Sequence, residues 1–291
     1  MSLVFCEGIR WSVFGKLVKS ISMNEESALR FESLIINYRD RRLFSLGRDG
    51  IVRAVNGVSM SLKRGTIMGI VGESGSGKSS LLKALCKFIP VKSGHIFIEG
   101  IDVTKLSGRK FFPYRRKIQM IPQDFCDIFN PKMTIKEILL EPLKIHFPCL
   151  SSKEKETRIL ELLESVELGG DLVGRFPSQL SGGQRQRISI ARALAVNPQI
   201  LICDEIVSAC DLHTQKQILL LLQKLNRTKN LTMLFVSHNI AVVAYLCHNI
   251  TVMRQGRFLE LCSSENLGIS NNSYMQTLID AVPRLKMAKK Q

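Results

Sequence analysis

The sequence predicts an α/β fold with a mostly parallel central sheet. Two short segments, 66–71 (TIMGIV) and 199–205 (QILICDE), are almost entirely apolar, as strands buried on both faces are. A third apolar segment, 231–237 (LTMLFVS), has the same character. Helical patterns lie between these strands, and such alternation is typical of a sheet with parallel core strands.

Two further strand patterns precede the first buried strand. Apolar residues alternate in 29–38 and again in 52–65, and the basic segment 39–50 between them is predicted to be a loop. Turn signals within the second pattern occur at Asn56-Gly57 and at Arg64-Gly65.

Helices are predicted after the first buried strand, in the middle of the chain and between the later strands. In one of them, 152–168, the apolar side contains Ile159, Leu163 and Val166. The segment that ends the ordered pattern, 249–261, is predicted to be a β-hairpin. Helical spacing is found in 79–89, 152–168, 184–195 and 217–225.

Composition restricts the class of partner. Among 291 residues, Lys and Arg outnumber Asp and Glu by 41 to 25, so the net charge is +16. A surplus of this size indicates an anionic partner, which composition leaves open as nucleotide, nucleic acid or phospholipid surface. The eight cysteines contain no CxxC pair, which disfavours a zinc ribbon or redox pair and indicates a reducing compartment, the cytosol.

No segment of the sequence has a convincing pattern of a membrane span. Residues 1–28 are interpreted as an extension without a signal-peptide pattern. They form either a mobile leader or, because Trp11 and Phe14 lie among basic residues, a membrane-surface segment. The apolar stretch 231–253 is interrupted by polar residues such as His238, so we expect a strand, a helix and a strand instead of a span.

The strongest chemical signal is the segment GESGSGKS, which fits G-x-x-x-x-G-K-[ST] between a buried strand and a helix. Its glycines allow backbone N–H groups to surround phosphates, and the helix N-terminus adds a favourable field. Lys78 supplies a charge to the β- and γ-phosphates, and the Ser79 hydroxyl is a ligand for Mg²⁺. The predicted phosphate-binding residues are Gly72, Glu73, Ser74, Gly75, Ser76, Gly77, Lys78, Ser79 and Ser80.

Polar residues also follow the other buried strands. Asp204 ends QILICDE, at the strand end where ligands bind in open α/β sheets, and is predicted to hold Mg²⁺ directly or through water. Glu205 is the candidate that polarises an attacking water. His238 ends LTMLFVS, and Gln123 follows the apolar stretch IQMI. From their positions alone, His238 and Gln123 could be either functional residues or ordinary polar residues, and both interpretations stay open.

Taken in order, these segments resemble the ATPase subunits of ABC transporters. The resemblance covers about residues 29–261 and is most specific at LSGGQ, residues 180–184. It implies a phosphate-loop ABC ATPase fold: a RecA-like parallel-sheet core, an antiparallel β part and an α-helical subdomain at about 105–180. It leaves 1–28 as an extension and 262–291 as a C-terminal tail.

The resemblance also implies roles for individual residues. His238 matches the switch histidine, Gln123 the glutamine that senses γ-phosphate and metal, and Asp211 the aspartate that communicates across a dimer. Tyr38 matches the aromatic residue that stacks on adenine, with Phe44 as the alternative. With Ser79 and Asp204, Gln123 would hold Mg²⁺. The signature that caps the γ-phosphate of a nucleotide on the opposite ATPase is formed by Leu180, Ser181, Gly182, Gly183 and Gln184.

A narrower resemblance, to the dipeptide/oligopeptide importer group and its second type of ATPase subunit, rests on segments such as 115–143 and 274–283. In that group the chain usually continues into a cysteine-bearing tail that can bind an iron–sulfur cluster, and no cysteine follows Cys262 here, so no cluster is predicted. Departures from the family pattern occur at Ile206, Cys210 and Asn239. None of them removes a phosphate, metal or water-activating group.

The resemblance implies ATP and Mg²⁺ as ligands and a peripheral position at the cytoplasmic face of the cell membrane. The partners it implies are two membrane permeases, a second ATPase subunit and, indirectly, a solute-binding protein. The second ATPase is expected to be a related chain, with a homodimer as the alternative. Peptides are the expected solute, with metal chelates or other small solutes as alternatives. The rival class is a soluble ABC ATPase that acts on nucleic acid or ribosomes; we expect no nucleic acid partner.

Overall fold

The computed structural model describes residues 27–39, 50–124, 129–208 and 210–264. The expected N-terminal extension up to residue 26, the alternative stacking residue Phe44, and the tail from residue 265 lie outside the described residues. Ten strands lie within the described part of the chain: β1 Ser27–Arg39, β2 Ile51–Lys63, β3 Ile67–Val71, β4 Ser93–Ile98, β5 Ile101–Asp102, β6 Ile118–Ile121, β7 Ile200–Asp204, β8 Thr232–Ser237, β9 Asn249–Arg254 and β10 Arg257–Ser263.

Seven α-helices join these strands within the described ranges. Each predicted helix is present, although the first is shorter than its apolar pattern. None of the helices in the described ranges combines the length and apolar character needed to cross a membrane. The helices are α1 Lys78–Leu85, α2 Gly108–Lys117, α3 Ile135–His146, α4 Ser152–Ser165, α5 Gly182–Leu194, α6 Leu212–Lys229 and α7 Ile240–Leu246.

The larger sheet confirms the predicted parallel core. Its strand order is β10-β9-β3-β8-β7-β6, and every neighbouring pair is parallel except β9 and β10, which form the predicted hairpin. The three apolar segments are the central strands β3, β8 and β7, and all their residues are buried. Because these strands are parallel, their carboxyl ends meet at one edge, where the polar residues that follow them collect.

The central sheet separates two cores. Along β8, Met233 and Phe235 face one core, whereas Leu234 and Val236 face the other, as the two-residue period of a strand requires. The first core is shared with α3 to α7 and the second with α1 and the smaller sheet. The sheet and α7 pack closely at Gly69, where a Cβ would lie 2.1 Å from Val243 Cγ1 of α7.

The smaller sheet is antiparallel, with strand order β2-β1-β4-β5. The predicted turn at Asn56-Gly57 is wrong, because β2 continues through both residues. Gly57 instead forms a bulge at φ +71°, and Ser33 forms a second bulge on β1 at φ +47°. The turn at Arg64-Gly65 is confirmed.

The segment predicted to be helical, about 105–180, contains α2, α3 and α4, and also β6, which pairs with β7 of the central sheet. Helix α4 confirms the predicted amphipathic helix, and its apolar residues Ile159 and Leu163 are buried. Helices α3 and α4 both begin with a capping box in which a Thr or Ser side chain and a Glu exchange hydrogen bonds with backbone N–H groups. The boundaries of a helical subdomain stay a prediction.

Candidate active site

The phosphate-loop segment connects β3 to α1 at the carboxyl edge of the central sheet. Its backbone passes so close to β2 and β9 that two positions have no room for a side chain. A Cβ on Gly77 would lie 2.1 Å from the carbonyl oxygen of Ala54, and one on Gly72 would lie 2.2 Å from that of Met253. Gly77 also has φ +104°, in the left-handed region that favours glycine. Only glycine therefore satisfies the path of this loop.

The β9–β10 hairpin supports the same loop from outside. The N–H of Gly256, in the hairpin turn, donates to the carbonyl oxygen of Ser76 at 2.9 Å. Gly256 in turn accepts from the N–H of Asn56 on β2 at 2.8 Å. Sequence reasoning missed this contact: the turn at Gln255-Gly256 is visible as a signal, but its position against the phosphate loop depends on how the two sheets pack.

Lys78 lies almost fully inside this loop, with its side chain 5% exposed. Its Nζ donates to the carbonyl oxygens of Gly72 and Glu73 at 2.7 Å each and lies 3.9 Å from Glu205 Oε1. Burial lowers the pKa of Lys78, while the nearby carboxylates, Glu205 first among them, oppose that shift. The ammonium group is thus held at the loop by carbonyl oxygens and a carboxylate.

Ser79 and Asp204 meet across the edge of the sheet. The Ser79 hydroxyl donates to Asp204 Oδ1 at 3.2 Å. Burial raises the pKa of Asp204, and the hydrogen bond from Ser79 opposes that shift. A hydroxyl and a carboxylate oxygen are hard ligands that suit Mg²⁺, which keeps several waters and substrate oxygens in its shell. The described residues contain no group of three or more His, Cys, Asp or Glu that could hold a metal ion.

Glu205 and His238 form the second contact across this edge. His238 Nδ1 lies 3.1 Å from Glu205 Oε2, and the other oxygen of the carboxylate faces Lys78. Glu205 adopts φ +49°, an uncommon conformation for a residue with a side chain, and its N–H donates to the carbonyl oxygen of Val236 at 3.0 Å. The strand β8 thereby fixes the backbone that aims this carboxylate.

Five predicted residues are brought together by these contacts. They come from β3–α1, from β7 and from β8, which are neighbouring strands of the central sheet. The set combines a buried cation, a hydroxyl–carboxylate pair and a carboxylate against a histidine, which suits phosphoryl transfer to water. Its members are Lys78, Ser79, Asp204, Glu205 and His238.

Tyr38 lies on β1 and Gln123 lies just after β6. Gln123 is exposed, two residues after β6, whose last residue Ile121 pairs with Cys203 beside Asp204. Tyr38, 39% exposed, pairs with Val52 on β2, two residues from Ala54, whose carbonyl faces the phosphate loop. Their positions are compatible with the roles that the resemblance implies, and these roles stay predictions.

The second glycine-rich segment begins α5. Ser181 caps the helix: its Oγ accepts from the N–H of Gln184 at 3.2 Å, and Gln184 Oε1 accepts from the N–H of Ser181 at 3.0 Å. Leu180 is buried, whereas Ser181 and Gly182 are exposed, and a Cβ on Gly182 would meet nothing within 4 Å. The segment thus presents an exposed, capped helix N-terminus, whose positive field favours anions.

Asp211 has a visible structural task. Its Oδ1 accepts from the N–H groups of His213 and Thr214 at 3.0 Å each, and its Oδ2 accepts from the Thr214 hydroxyl at 2.7 Å. The hydrogen bonds from Thr214 lower the pKa of Asp211. Asp211 is thus the N-cap of α6, and communication across a dimer stays a prediction.

Comparison with known proteins supports this chemistry. A family model described as ABC transporter matches residues 55–208. The oligopeptide transport ATP-binding protein OppF of Streptococcus mutans is 39% identical over 241 residues, which is 82% of this chain and 78% of that protein.

Solved structures agree with the fold. The dimeric structure of the ATP-binding cassette MJ0796, bound to ADP and Pi in a post-hydrolysis state, superimposes with a TM-score of 0.72 at 30% identity, covering 81% of this chain and 98% of that one. The structure of cbiO1 from Clostridium perfringens, at 22% identity and a TM-score of 0.73, covers 88% of this chain and 96% of that one and bears on the fold alone.

Proposed function

The chain belongs to the ABC transporter family, and from that premise we propose that it is the ATP-hydrolysing subunit of an importer of peptides. One observation supports this function above the others. Lys78 and His238 contact opposite oxygens of the Glu205 carboxylate, next to the Ser79–Asp204 pair at the same sheet edge. A site that only bound nucleotide would have no need of a carboxylate held between a cation and a histidine.

In the proposed reaction, ATP is the substrate and water is the nucleophile. Backbone N–H groups of the phosphate loop and Lys78 bind the phosphates, because charge-assisted hydrogen bonds to phosphate oxygens are strong. Glu205 accepts a proton from the attacking water, and His238 orients the carboxylate through the contact at 3.1 Å. Gln123, at the edge of β6, contacts the γ-phosphate side of the site.

Ser79 and Asp204, with Gln123, are the residues that would hold Mg²⁺. When bound, the cation supplies charge that neutralises the phosphate oxygens. Lys78 and Asp204 lie close enough to influence each other's pKa.

The second glycine-rich segment is proposed to act on another subunit. The exposed N-terminus of α5, at Ser181 to Gln184, caps the γ-phosphate of the ATP that the opposite ATPase holds. Each chain then supplies one half of two sites, and a second ATPase is obligatory. A related chain is the favoured partner, with a second copy of this chain as the alternative.

The name of one relative supports the proposed solute. A protein named as an oligopeptide transport ATP-binding protein covers most of this chain, so peptides are the proposed solute. Two membrane permeases and, indirectly, a solute-binding protein complete the proposed complex at the cytoplasmic face of the membrane. The net charge of +16 then reflects attraction of nucleotide and of anionic headgroups instead of nucleic acid.

Glu205→Gln tests hydrolysis. In the complex purified with its co-purifying subunits, we expect kcat to fall by about a hundredfold or more, with the Kd for ATP within about twofold of wild type. Glu164→Gln, on the exposed side of α4, is the matched control and should hydrolyse like wild type. A wild-type complex without turnover, or a Glu205→Gln variant indistinguishable from an active wild type, would contradict the proposal.

Ser181→Arg tests the role in trans. ATP binding to the isolated chain should be nearly unchanged, while hydrolysis at the site on the opposite ATPase is abolished. Loss of ATP binding by the isolated chain would show that the segment serves its own nucleotide.

Two further measurements address class and solute. Peptide uptake should be lost in a Lys78→Ala strain, and uptake of metal chelates should not change. A salt-sensitive shift of duplex DNA or RNA at nanomolar protein would favour the rival nucleic-acid class.

A further inference from the structure

Gln186 is a fully buried polar residue within the apolar side of α5. It lies two residues after Gln184 and so belongs to the helix that begins with the exposed glycine-rich segment. Buried amides keep their place in a core only when both ends find hydrogen-bond partners. The partners of Gln186 therefore indicate what this residue holds.

Both partners belong to the segment that follows β7. Gln186 Nε2 donates to the carbonyl oxygen of Ile206, the residue after Glu205. Gln186 Oε1 accepts from Cys210 Sγ, the residue before Asp211, at 2.9 Å. One side chain of α5 thus contacts both ends of the segment that carries Glu205 at its start and Asp211 at its end.

That segment has an unusual backbone where it begins. Glu205 adopts φ +49°, and Ser208 Oγ donates back to its carbonyl oxygen at 2.8 Å. A residue with a side chain keeps such a conformation only when its surroundings impose it. The bond from Gln186 to Ile206 is one of these restraints, and it comes from the helix that begins at the exposed glycine-rich segment.

We propose that Gln186 is a positioning residue that couples the glycine-rich start of α5 to the Glu205 carboxylate. A ligand that binds at the N-terminus of α5 shifts the helix. Through its hydrogen bond, the Gln186 amide transmits that shift to the backbone of Ile206. Cys210 fixes the orientation of the amide, so that its NH₂ group faces the carbonyl. This inference rests on the proposed function, in which α5 binds the nucleotide of the opposite ATPase.

The first test removes the amide. In the complex with its co-purifying subunits, Gln186→Leu leaves the Ile206 carbonyl without its donor, and we expect kcat to fall by about tenfold while KM for ATP stays within about twofold. Gln223→Leu is the matched control, because it also removes an amide that donates to a backbone carbonyl, that of Tyr245 at 3.1 Å, outside the site. The control should retain wild-type kcat.

The second test restores or removes the donor by protonation. Gln186→Glu keeps the shape of the side chain, and burial raises the pKa of the introduced carboxyl. When protonated, the carboxyl donates to Ile206; when ionised, it does not. The ratio of variant to wild-type kcat should therefore fall as the pH rises from about 6 to about 9, a dependence that loss of packing alone would not produce.

The third test concerns the thiol. Cys210→Ser retains a donor for Gln186 Oε1 and should stay within about twofold of wild-type kcat, whereas Cys210→Ala should lose activity by about threefold to tenfold. Cys262→Ala is the control, since it removes a thiol whose Sγ lies 3.7 Å from the carbonyl oxygen of Ile250 on the hairpin. Rescue by Ser but not by Ala distinguishes a hydrogen bond from filled volume.

The outcomes separate this inference from the function on which it rests. Suppose that wild type hydrolyses ATP and that thermal unfolding shows Gln186→Leu to be correctly folded. If the variant then has the same kcat as wild type, the coupling role is wrong. If Gln186→Leu does not fold, a flat pH ratio for Gln186→Glu together with equal activities of the two Cys210 variants overturns it instead. If wild type has no turnover while Lys78 still supports ATP binding, the proposed function itself fails.

Discussion

Gly77→Ala places one methyl group at the tightest point of the phosphate loop. The added Cβ would lie 2.1 Å from the carbonyl oxygen of Ala54 and 3.1 Å from Met253 Cε. The nearer atom belongs to backbone of β2, which the small sheet holds in place, so neither side can move easily. The substitution therefore tests whether the close passage of β2 requires glycine here.

Gly75→Ala is the matched control, because Gly75 lies in the same loop at φ +79° and a Cβ there meets nothing within 4 Å. Both variants carry the strain of a positive φ, about 1–2 kcal/mol. Both also lose similar entropy in the unfolded chain, so this contribution cancels in the comparison. Only Gly77→Ala adds overpacking, which is typically about 1–3 kcal/mol. The free energy of unfolding should thus be lower for Gly77→Ala by about that amount.

The assay is urea unfolding of the nucleotide-free chain, monitored by far-UV circular dichroism, for wild type and both variants. ATP binding is measured separately with a fluorescent analogue, and Gly77→Ala should bind more weakly than Gly75→Ala, because the shifted loop no longer aligns its N–H groups. Equal unfolding free energies for the two variants would refute the reasoning, since the contact with Ala54 would then carry no energetic weight.

Three other changes test separate features. Gly69→Ala should lower the free energy of unfolding by about 1–3 kcal/mol, because its Cβ would lie 2.1 Å from Val243 Cγ1; urea unfolding measures this. Asp211→Ala should have a lower free energy of unfolding than wild type at pH 7. This difference should shrink as the pH falls through the depressed pKa of Asp211, because the capping carboxylate then becomes protonated. A difference in unfolding free energy that stays constant over a pH series would contradict this prediction. Cys149→Ser should remove one fast-reacting thiol at pH 8, whereas Cys86→Ser should remove none, because Cys86 is buried and burial raises its pKa to about 12; a thiol-reagent time course decides.

The central sheet was predictable because each of its buried strands can be recognised from its own residues, without information on the strands beside it. Segments such as TIMGIV and QILICDE are apolar on both faces, and only a strand covered on both sides tolerates that composition. The residues that follow such strands collect at one edge by topology, which is why Asp204 and His238 could be proposed together. In the structure Asp204 accepts from Ser79 and His238 lies beside Glu205 at this edge.

The error at Asn56-Gly57 has a physical cause. The dipeptide has the chemistry of a two-residue hairpin turn, and that chemistry depends only on positive φ. A β-bulge uses the same φ, and Gly57 adopts it without ending the strand. A residue with positive φ can end a strand or form a bulge within it. It forms a bulge when the neighbouring strand continues to pair beyond that residue. In this protein β1 continues, with a compensating bulge at Ser33, and local sequence does not contain that information.

Gln186 was missed for a related reason. Polar residues in α5 are common, and the sequence gives no sign that this one is the polar residue buried against the segment after β7. The contact depends on how α5 packs against that segment within the core that it shares with α3, α4, α6 and α7. Ile206 and Cys210 are two of the three positions where the sequence departs from the family pattern, and these two lie with the buried amide in one hydrogen-bonded group. A double-mutant cycle between Gln186→Leu and Cys210→Ala should therefore show strong non-additivity in kcat. Cys210 acts by orienting the Gln186 amide, so Cys210→Ala should have little further effect once Gln186→Leu has removed that amide.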